Sequence, residues 1–166
     1  IDVSLMEVMA ASLANQNMNY LASGKTPVRL GNAHPNIAPY QVVPTSDGHI
    51  VVAAGNDGQF GRLCKVLGME ALADDQRFAT NSARVENRTA LTQTLEKATR
   101  QWSRDALVAA CAEGGIPAGP INTIADMFRD PQIAARGLQI MTDKGIAGVR
   151  SPLLLNSTPT ADLRSS

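Results

Sequence analysis

Two short alternating segments on either side of a tight turn constrain this chain more than anything else in it. Tyr40–Val43 and His49–Ala53 flank Pro44-Thr-Ser-Asp-Gly48. β-Branched runs around a Ser-Asp-Gly turn predict a β-hairpin, and the side-chain period of two fixes which face is buried. The second strand runs into Gly55-Asn-Asp-Gly58. Phe60, Leu63, Cys64 and Leu67 then fall at helical spacing, and Gly68 stops the helix. Asp57 is expected at the N-cap, where its carboxylate would accept from the free N–H groups of the first turn. That residue is either a plain cap or a functional carboxylate, and the spacing alone leaves both readings open.

The rest of the chain is read outward from this hairpin. Ser4-Leu-Met-Glu7 has the form of a capping box, and a long helix to Ala22 is expected, with Leu5, Met6, Met9, Leu13 and Leu21 as its apolar stripe and Gly24 at its end. That stripe needs an apolar surface to cover it. Lys25 to Pro39 is a long Gly-, Pro- and Asn-rich loop, the kind that is functional or mobile in compact domains. It carries His34 and Asn36. Beyond the hairpin helix come a short helix and turn over Met69–Ala79. A helix opening at Asn81 or Ser82 follows, with Val85, Leu91, Leu95, Ala98 and Trp102 inward. Its Arg84, Glu86, Arg88, Glu96, Lys97 and Arg100 read as a solvated face of mixed sign. Ser103 is expected to cap a helix that stops at Gly114-Gly115, and the two prolines of Ile116–Ile121 allow at most an edge strand. Asn122 and Asp130 are expected to cap short helices. Leu138–Met141 and Gly148–Leu155 read as short strands, and Asp162–Ser166 as a frayed tail.

These elements make an α+β domain: a small antiparallel sheet with helices packed on one side, preceded by a long connecting helix. The 166 residues are enough for one domain with a core, and the 15 basic and 15 acidic residues cancel without any basic block, which speaks against nucleic acid or an anionic membrane as partner. No apolar run is long enough to span a bilayer. Cys64 and Cys111 sit in helical patterns without metal-ligand spacing, so buried thiols in a reducing cytoplasm are expected, with no metal site. The chain opens on Ile1 rather than Met, as a piece of a longer polypeptide would.

Four segments together resemble the class III CoA-transferase family, which includes formyl-CoA transferase, carnitine CoA-transferase and α-methylacyl-CoA racemase. They are Gly31-Asn-Ala-His-Pro-Asn-Ile-Ala-Pro-Tyr40, Asp47-Gly-His-Ile-Val-Val-Ala-Ala-Gly-Asn-Asp-Gly-Gln-Phe60, Gly115-Ile-Pro-Ala-Gly-Pro-Ile-Asn122 and Asp130-Pro-Gln-Ile-Ala-Ala-Arg-Gly137. They occur in family order with family-like spacing. The resemblance runs from Ile1 to about Pro159.

The resemblance implies a smaller domain inserted between two parts of a larger one, in subunits that interlock as a homodimer. On that comparison residues 1–39 are a connecting helix and loop from the large domain, 40–141 the small domain, and 142–166 the return segment. It implies a parent enzyme that moves CoA between carboxylic acids through an aspartyl intermediate, with an acyl-CoA ester as substrate and no tightly bound cofactor. The nucleophilic Asp has no counterpart in these residues, so the chain would supply the lid side of the cleft. The Gly31–Tyr40 loop matches the position of a glycine-rich lid, with Ala33-His-Pro-Asn36 in place of the glycine run. His34 and Asn36 are candidates to hydrogen-bond a substrate carboxylate or thioester oxygen. Gln59 faces either the cleft or solvent. Asp57-Gly-Gln-Phe60 matches the racemase word Glu-Pro-Gln-Phe, with a shorter acid and no proline, so Asp57 is the tentative catalytic residue. A racemase-like parent and a non-catalytic dimerisation module are the alternatives. Asp126 and Asp130 are reserve candidates for a carboxylate.

Overall fold

The computed structural model describes residues 2–153. The chain is α+β and divides into two compact units, Ile1–Ile121 and Asn122–Ser166. In the first unit α1 (Leu5–Ser12) and α2 (Asn15–Ser23) precede the long loop. The hairpin strands β1 (Tyr40–Pro44) and β2 (His49–Ala53) follow, and then α3 (Asp57–Val66), α4 (Ala71–Asp74), α5 (Asn81–Glu86), α6 (Arg88–Thr99), α7 (Arg104–Glu113) and β3 (Ala118–Pro120).

The hairpin register is the one the alternation demands. Val43 pairs with Ile50 and Gln41 with Val52, so these four share the buried face of the sheet. β3 pairs antiparallel with β2 on its other side, giving the order β1-β2-β3. Its Pro120 is tolerated because β3 is an edge. Val43, Ile50 and Val52 pack with Phe60, Leu63 and Cys64 of α3, Leu91 and Leu95 of α6, and Leu107 and Cys111 of α7. Polar side chains inside this core are satisfied: the Thr99 hydroxyl donates to the Pro44 carbonyl (2.7 Å), and Gln41 Nε2 donates to Thr92 Oγ1 (3.1 Å). The second unit holds α8 (Ile124–Arg129), α9 (Pro131–Ala135) and the antiparallel pair β4 (Gln139–Met141) and β5 (Ala147–Val149).

Several expectations are corrected. The helix from Ser4 to Ala22 is two helices, broken at Ala14 (φ 38°). Side chains compete there for the carbonyls that would carry the helix on: Asn17 Nδ2 donates to Ala10 O (2.6 Å) and Ser12 Oγ to Met9 O (2.7 Å). The Ser4 hydroxyl accepts from Glu7 N, which is one half of the expected box. Leu5, Met9 and Leu13 remain 83%, 65% and 55% exposed. Asn56, not Asp57, caps α3, accepting from Gln59 N at 2.9 Å, and Asp57 is the first helical residue. α5 opens at Asn81 as expected, with Thr80 as its cap; Thr123, rather than Asn122, caps α8 and forms a full capping box with Asp126. The expected strand Gly148–Leu155 is cut short, since β5 ends at Val149; Leu154 and Leu155, and the expected tail Asp162–Ser166, lie outside the described residues.

The largest correction concerns Arg84. Expected on a solvated face, it is fully buried. Its Nε donates to Ala38 O (2.6 Å), one terminal nitrogen to Phe78 O (2.9 Å) and the other to Asp57 Oδ1 (2.8 Å), while the guanidinium lies over the Phe60 ring, 4.5 Å from its centroid. A buried guanidinium is tolerated because each edge of its planar fork has a partner. The Asp57 side chain is 58% exposed, so the carbonyl bonds rather than the ion pair anchor the arginine. Arg84→Met is expected to cost about 3 kcal/mol, since two buried carbonyls lose their donor. Asp57→Asn should cost under about 1 kcal/mol. Urea unfolding of both variants checks this, and equal losses would assign the stability to the ion pair instead.

Asp47 ties the hairpin turn to α7. Its carboxylate accepts from Arg104 N (2.7 Å) and from the Thr45 hydroxyl (3.1 Å). The Arg104 backbone N–H, ahead of the other donors, holds the carboxyl below its ordinary value of 3.8. A lowered native pKa gives stability that is present above the unfolded value and lost as pH falls through the native one. Asp47→Ala should therefore lower stability at neutral pH and flatten the loss of stability below pH 3.8, as read by thermal melts across an acid series.

Candidate functional site

The loop before the hairpin is the centre of the candidate site, and three side chains from α5 and α6 hold it. Arg88 donates to Pro35 O (3.1 Å) and Ile37 O (3.3 Å). Asn81 donates to Asn36 O (2.8 Å) and accepts from Ala38 N (3.2 Å). Arg84 takes Ala38 O. Every carbonyl from residue 35 to 38 is thus occupied by a side chain from α5 or from the first residue of α6, two helices that meet at Asn87 where the spacing predicts one helix. Burial pulls the Arg88 guanidinium below its ordinary value, as expected of a cation used for its geometry in a half-dry site. The Ala38-Pro39 peptide is cis, and Pro39 O accepts from Ala54 N at 2.9 Å, which seats the loop's end on the hairpin's second strand.

His34 lies flat against Tyr40, with ring centroids 5.2 Å apart and planes 7° from parallel. Its Nδ1 accepts from Asn36 N at 3.1 Å. An amide N–H can only donate, so Nδ1 carries no proton. The neutral ring therefore bears its hydrogen on Nε2, a donor with no acceptor among the described residues and able to meet a carboxylate or carbonyl oxygen. Asn36 is joined to Asn19 of α2 by a reciprocal amide pair, at 3.0 and 3.1 Å. Gln59 Oε1 accepts from Gly55 N at 2.7 Å and closes the turn between β2 and α3. Asp57 sits in the first turn of α3, bound to Arg84.

The hydrogen-bond chain therefore links three of the expected residues. His34 joins Asn36, Asn36 joins Asn81, and Asn81 and Arg84 converge on Ala38, with Arg84 passing on to Asp57. Gln59 shares the first turns of α3 with Asp57 but bonds elsewhere. Asn81, Arg84 and Arg88, which build the loop's support, were not expected as site residues. Their signal lies in the spacing: Arg84 and Arg88 continue, at i and i+4, the inward stripe of Leu91 and Leu95. Asp126 and Asp130 cap α8 and α9, with Asp130 Oδ1 accepting from Gln132 N and Ile133 N.

A sequence model of CoA-transferase family III matches residues 1–166. This chain belongs to that family. Its relatives in CoA-transferase family III include a succinate–glutarate CoA-transferase of Agrobacterium fabrum, 53% identical over 96% of this chain and 41% of the relative. A human succinyl-CoA:glutarate CoA-transferase is 38% identical over 83% of this chain and 32% of that protein, and an acetyl-CoA:oxalate CoA-transferase of Acetobacter aceti 39% over 84% and 36%. The crystal structure of a CaiB/BaiF family protein from Brucella suis superposes with a TM-score of 0.81 at 58% identity, covering 96% of this chain and 42% of that one. The chain thus spans about a third to two-fifths of the length of these relatives.

Among the described residues, no group of three or more His, Cys, Asp or Glu is placed to hold a metal ion, and no helix is long and apolar enough to cross a membrane. Both cysteines are buried free thiols. Burial pushes the Cys64 thiol up to about 11 from 9.0, and raises Cys111 as well. Iodoacetamide at pH 8 is expected to leave both unmodified in the folded chain and to alkylate both in urea, as read by mass spectrometry. A raised native pKa also means that the stability tied to Cys64 is full below pH 9.0 and lost as pH rises towards about 11.

Proposed function

We propose that the protein to which this chain belongs transfers CoA between small dicarboxylic acids, and that this chain forms the lid side of the cleft. The observation that carries this reading is the 53% identity, along nearly the whole chain, to a succinate–glutarate CoA-transferase. In this reading residues 1–39 connect to a larger domain, 40–141 form the small domain and 142–166 return. The exposed stripe of Leu5, Met9 and Leu13 supports a pairing of subunits into an interlocked homodimer.

The nucleophile is an Asp carboxylate in polypeptide outside this chain. It attacks the thioester carbonyl of the donor acyl-CoA, expelling CoA thiolate and forming a mixed anhydride. The thiolate attacks the aspartyl carbonyl, releasing the donor acid and leaving an aspartyl–CoA thioester. The acceptor carboxylate displaces the thiolate to give a second anhydride. The thiolate then attacks the acceptor's carbonyl, yielding the new acyl-CoA and the free Asp. Each intermediate is open to hydrolysis, so a wall that excludes water is part of the chemistry.

The 35–38 loop suits that task as a fixed wall, held by four carbonyl bonds, rather than as a swinging glycine flap. His34 Nε2–H donates to the carboxylate or carbonyl oxygen in the cleft. Asp57 pairs with Arg84, whose carbonyl bonds rather than this pair hold the loop's support. The commitment of its carboxylate to a guanidinium favours this over a proton-shuttling role of the racemase kind.

In the full-length enzyme, succinyl-CoA and glutarate should give glutaryl-CoA and succinate. His34→Ala should lower kcat/KM by about 10- to 100-fold, with partial recovery in His34→Gln, which keeps a donor. Chromatographic detection of the two CoA esters checks this. Absence of glutaryl-CoA with the wild-type enzyme would sink the reading, and an unaffected His34→Ala would remove the histidine from it.

A further inference from the structure

A cleft of about 240 Å³ opens between α2 and the loop, walled by Gln16, Asn19, Lys25, Thr26, Pro35 and Asn36 among others. No acidic residue lines it. Its one cation is Lys25, whose ammonium has no hydrogen-bond or ion-pair partner among the described residues. The backbone at the mouth is fixed on both sides of that lysine: Gly24 takes the left-handed conformation (φ 69°) with its N–H on Tyr20 O, and Lys25 N donates to Ser23 Oγ at 3.1 Å. The amides inside are ordered as well. Asn19 Nδ2 donates to Gln16 Oε1 at 3.2 Å, which fixes the flip of that side chain and leaves the Gln16 NH₂ as a donor. Asn19 and Asn36 occupy each other. The cleft thus carries one cation and the Gln16 amide on walls that also include the apolar Pro27, Val28 and Leu30, and the loop closes it through Pro35 and Asn36, the two residues that follow His34.

We infer that this cleft binds the carboxylate of a dicarboxylic acid that is not being exchanged, with Lys25 as its counter-ion and Gln16 as a second donor. The inference rests on the reading that CoA moves between dicarboxylates. One carboxyl of such an acid becomes a thioester. The other stays ionised through every step and loses water when the site closes, so it needs a fixed positive partner. A lysine meets that need as a point charge on a flexible stem, which tolerates acids of slightly different length. A monocarboxylate of the same length gains nothing from the lysine. Lys25 is in this sense a specificity-determining residue.

The test uses two probes, glutarate and pentanoate, which differ in the far carboxylate. Calorimetric titration of this chain should show glutarate binding that Lys25→Met weakens by tenfold or more and Lys25→Arg largely retains. In the full-length enzyme, Lys25→Met should shift the glutarate-to-pentanoate ratio of kcat/KM by tenfold or more towards pentanoate. That is the change expected for loss of one bond to a charged group. No glutarate binding, binding indifferent to Lys25→Met, or an equal loss for both acids would each overturn the assignment. A wild-type enzyme that moves CoA to no acid would defeat the transfer reading instead. The titration needs no CoA and judges the cleft separately.

Discussion

A backbone segment with its carbonyls turned away from any strand or helix must find donors elsewhere, and in this chain the segment from Pro35 to Ala38 finds them on α5 and the start of α6. Arg84 is the centre of that arrangement. Its guanidinium is fully dry, yet it bonds to carbonyls from two loops and to one carboxylate, and it lies over the ring of Phe60. The interaction joins levels that are usually discussed apart. It satisfies buried polar groups, it packs the core, and it sets the shape of the surface from which His34 projects. The hairpin supplies the other half of the frame, because the cis Pro39 leads straight into β1 and its carbonyl bonds to the end of β2.

Periodicity made much of this legible. The alternation across Tyr40–Val43 and His49–Ala53 gave the register, since a slip by one residue would have turned Val43, Ile50 and Val52 to solvent. The spacing of Phe60, Leu63, Cys64 and Leu67 gave the helix and its buried side. The caps were harder, because neighbouring residues compete for one position. Asn56 and Asp57 both suit an N-cap, and so do Thr80 and Asn81; which one wins depends on the direction in which the preceding chain arrives.

Arg84 and Arg88 escaped for a different reason. Their charge suggests exposure, although both fall on the stripe that Leu91 and Leu95 continue. A residue's place in the period is evidence about its direction that its polarity does not cancel, and a long polar side chain on an apolar stripe points to carbonyls in need of donors. The break at Ala14 has its signal in composition rather than in period, since Ser12, Asn15, Asn17 and Asn19 are poor helix formers set within the apolar stripe. It arises where the Asn17 and Ser12 side chains take up helix carbonyls. The candidate site was legible in its parts, His34 and Asn36 above all, while its support became visible only in the fold.

The reciprocal amide pair between Asn19 and Asn36 has a consequence for how the loop responds to its surroundings. Both partners are uncharged, so the join between α2 and the loop is neither screened by salt nor altered by protonation across the ordinary pH range. The ionic parts of this neighbourhood, Lys25 and the Arg84–Asp57 pair, feel every anion that arrives or leaves. The amide pair does not. The wall between them keeps its alignment while the charge beside it changes.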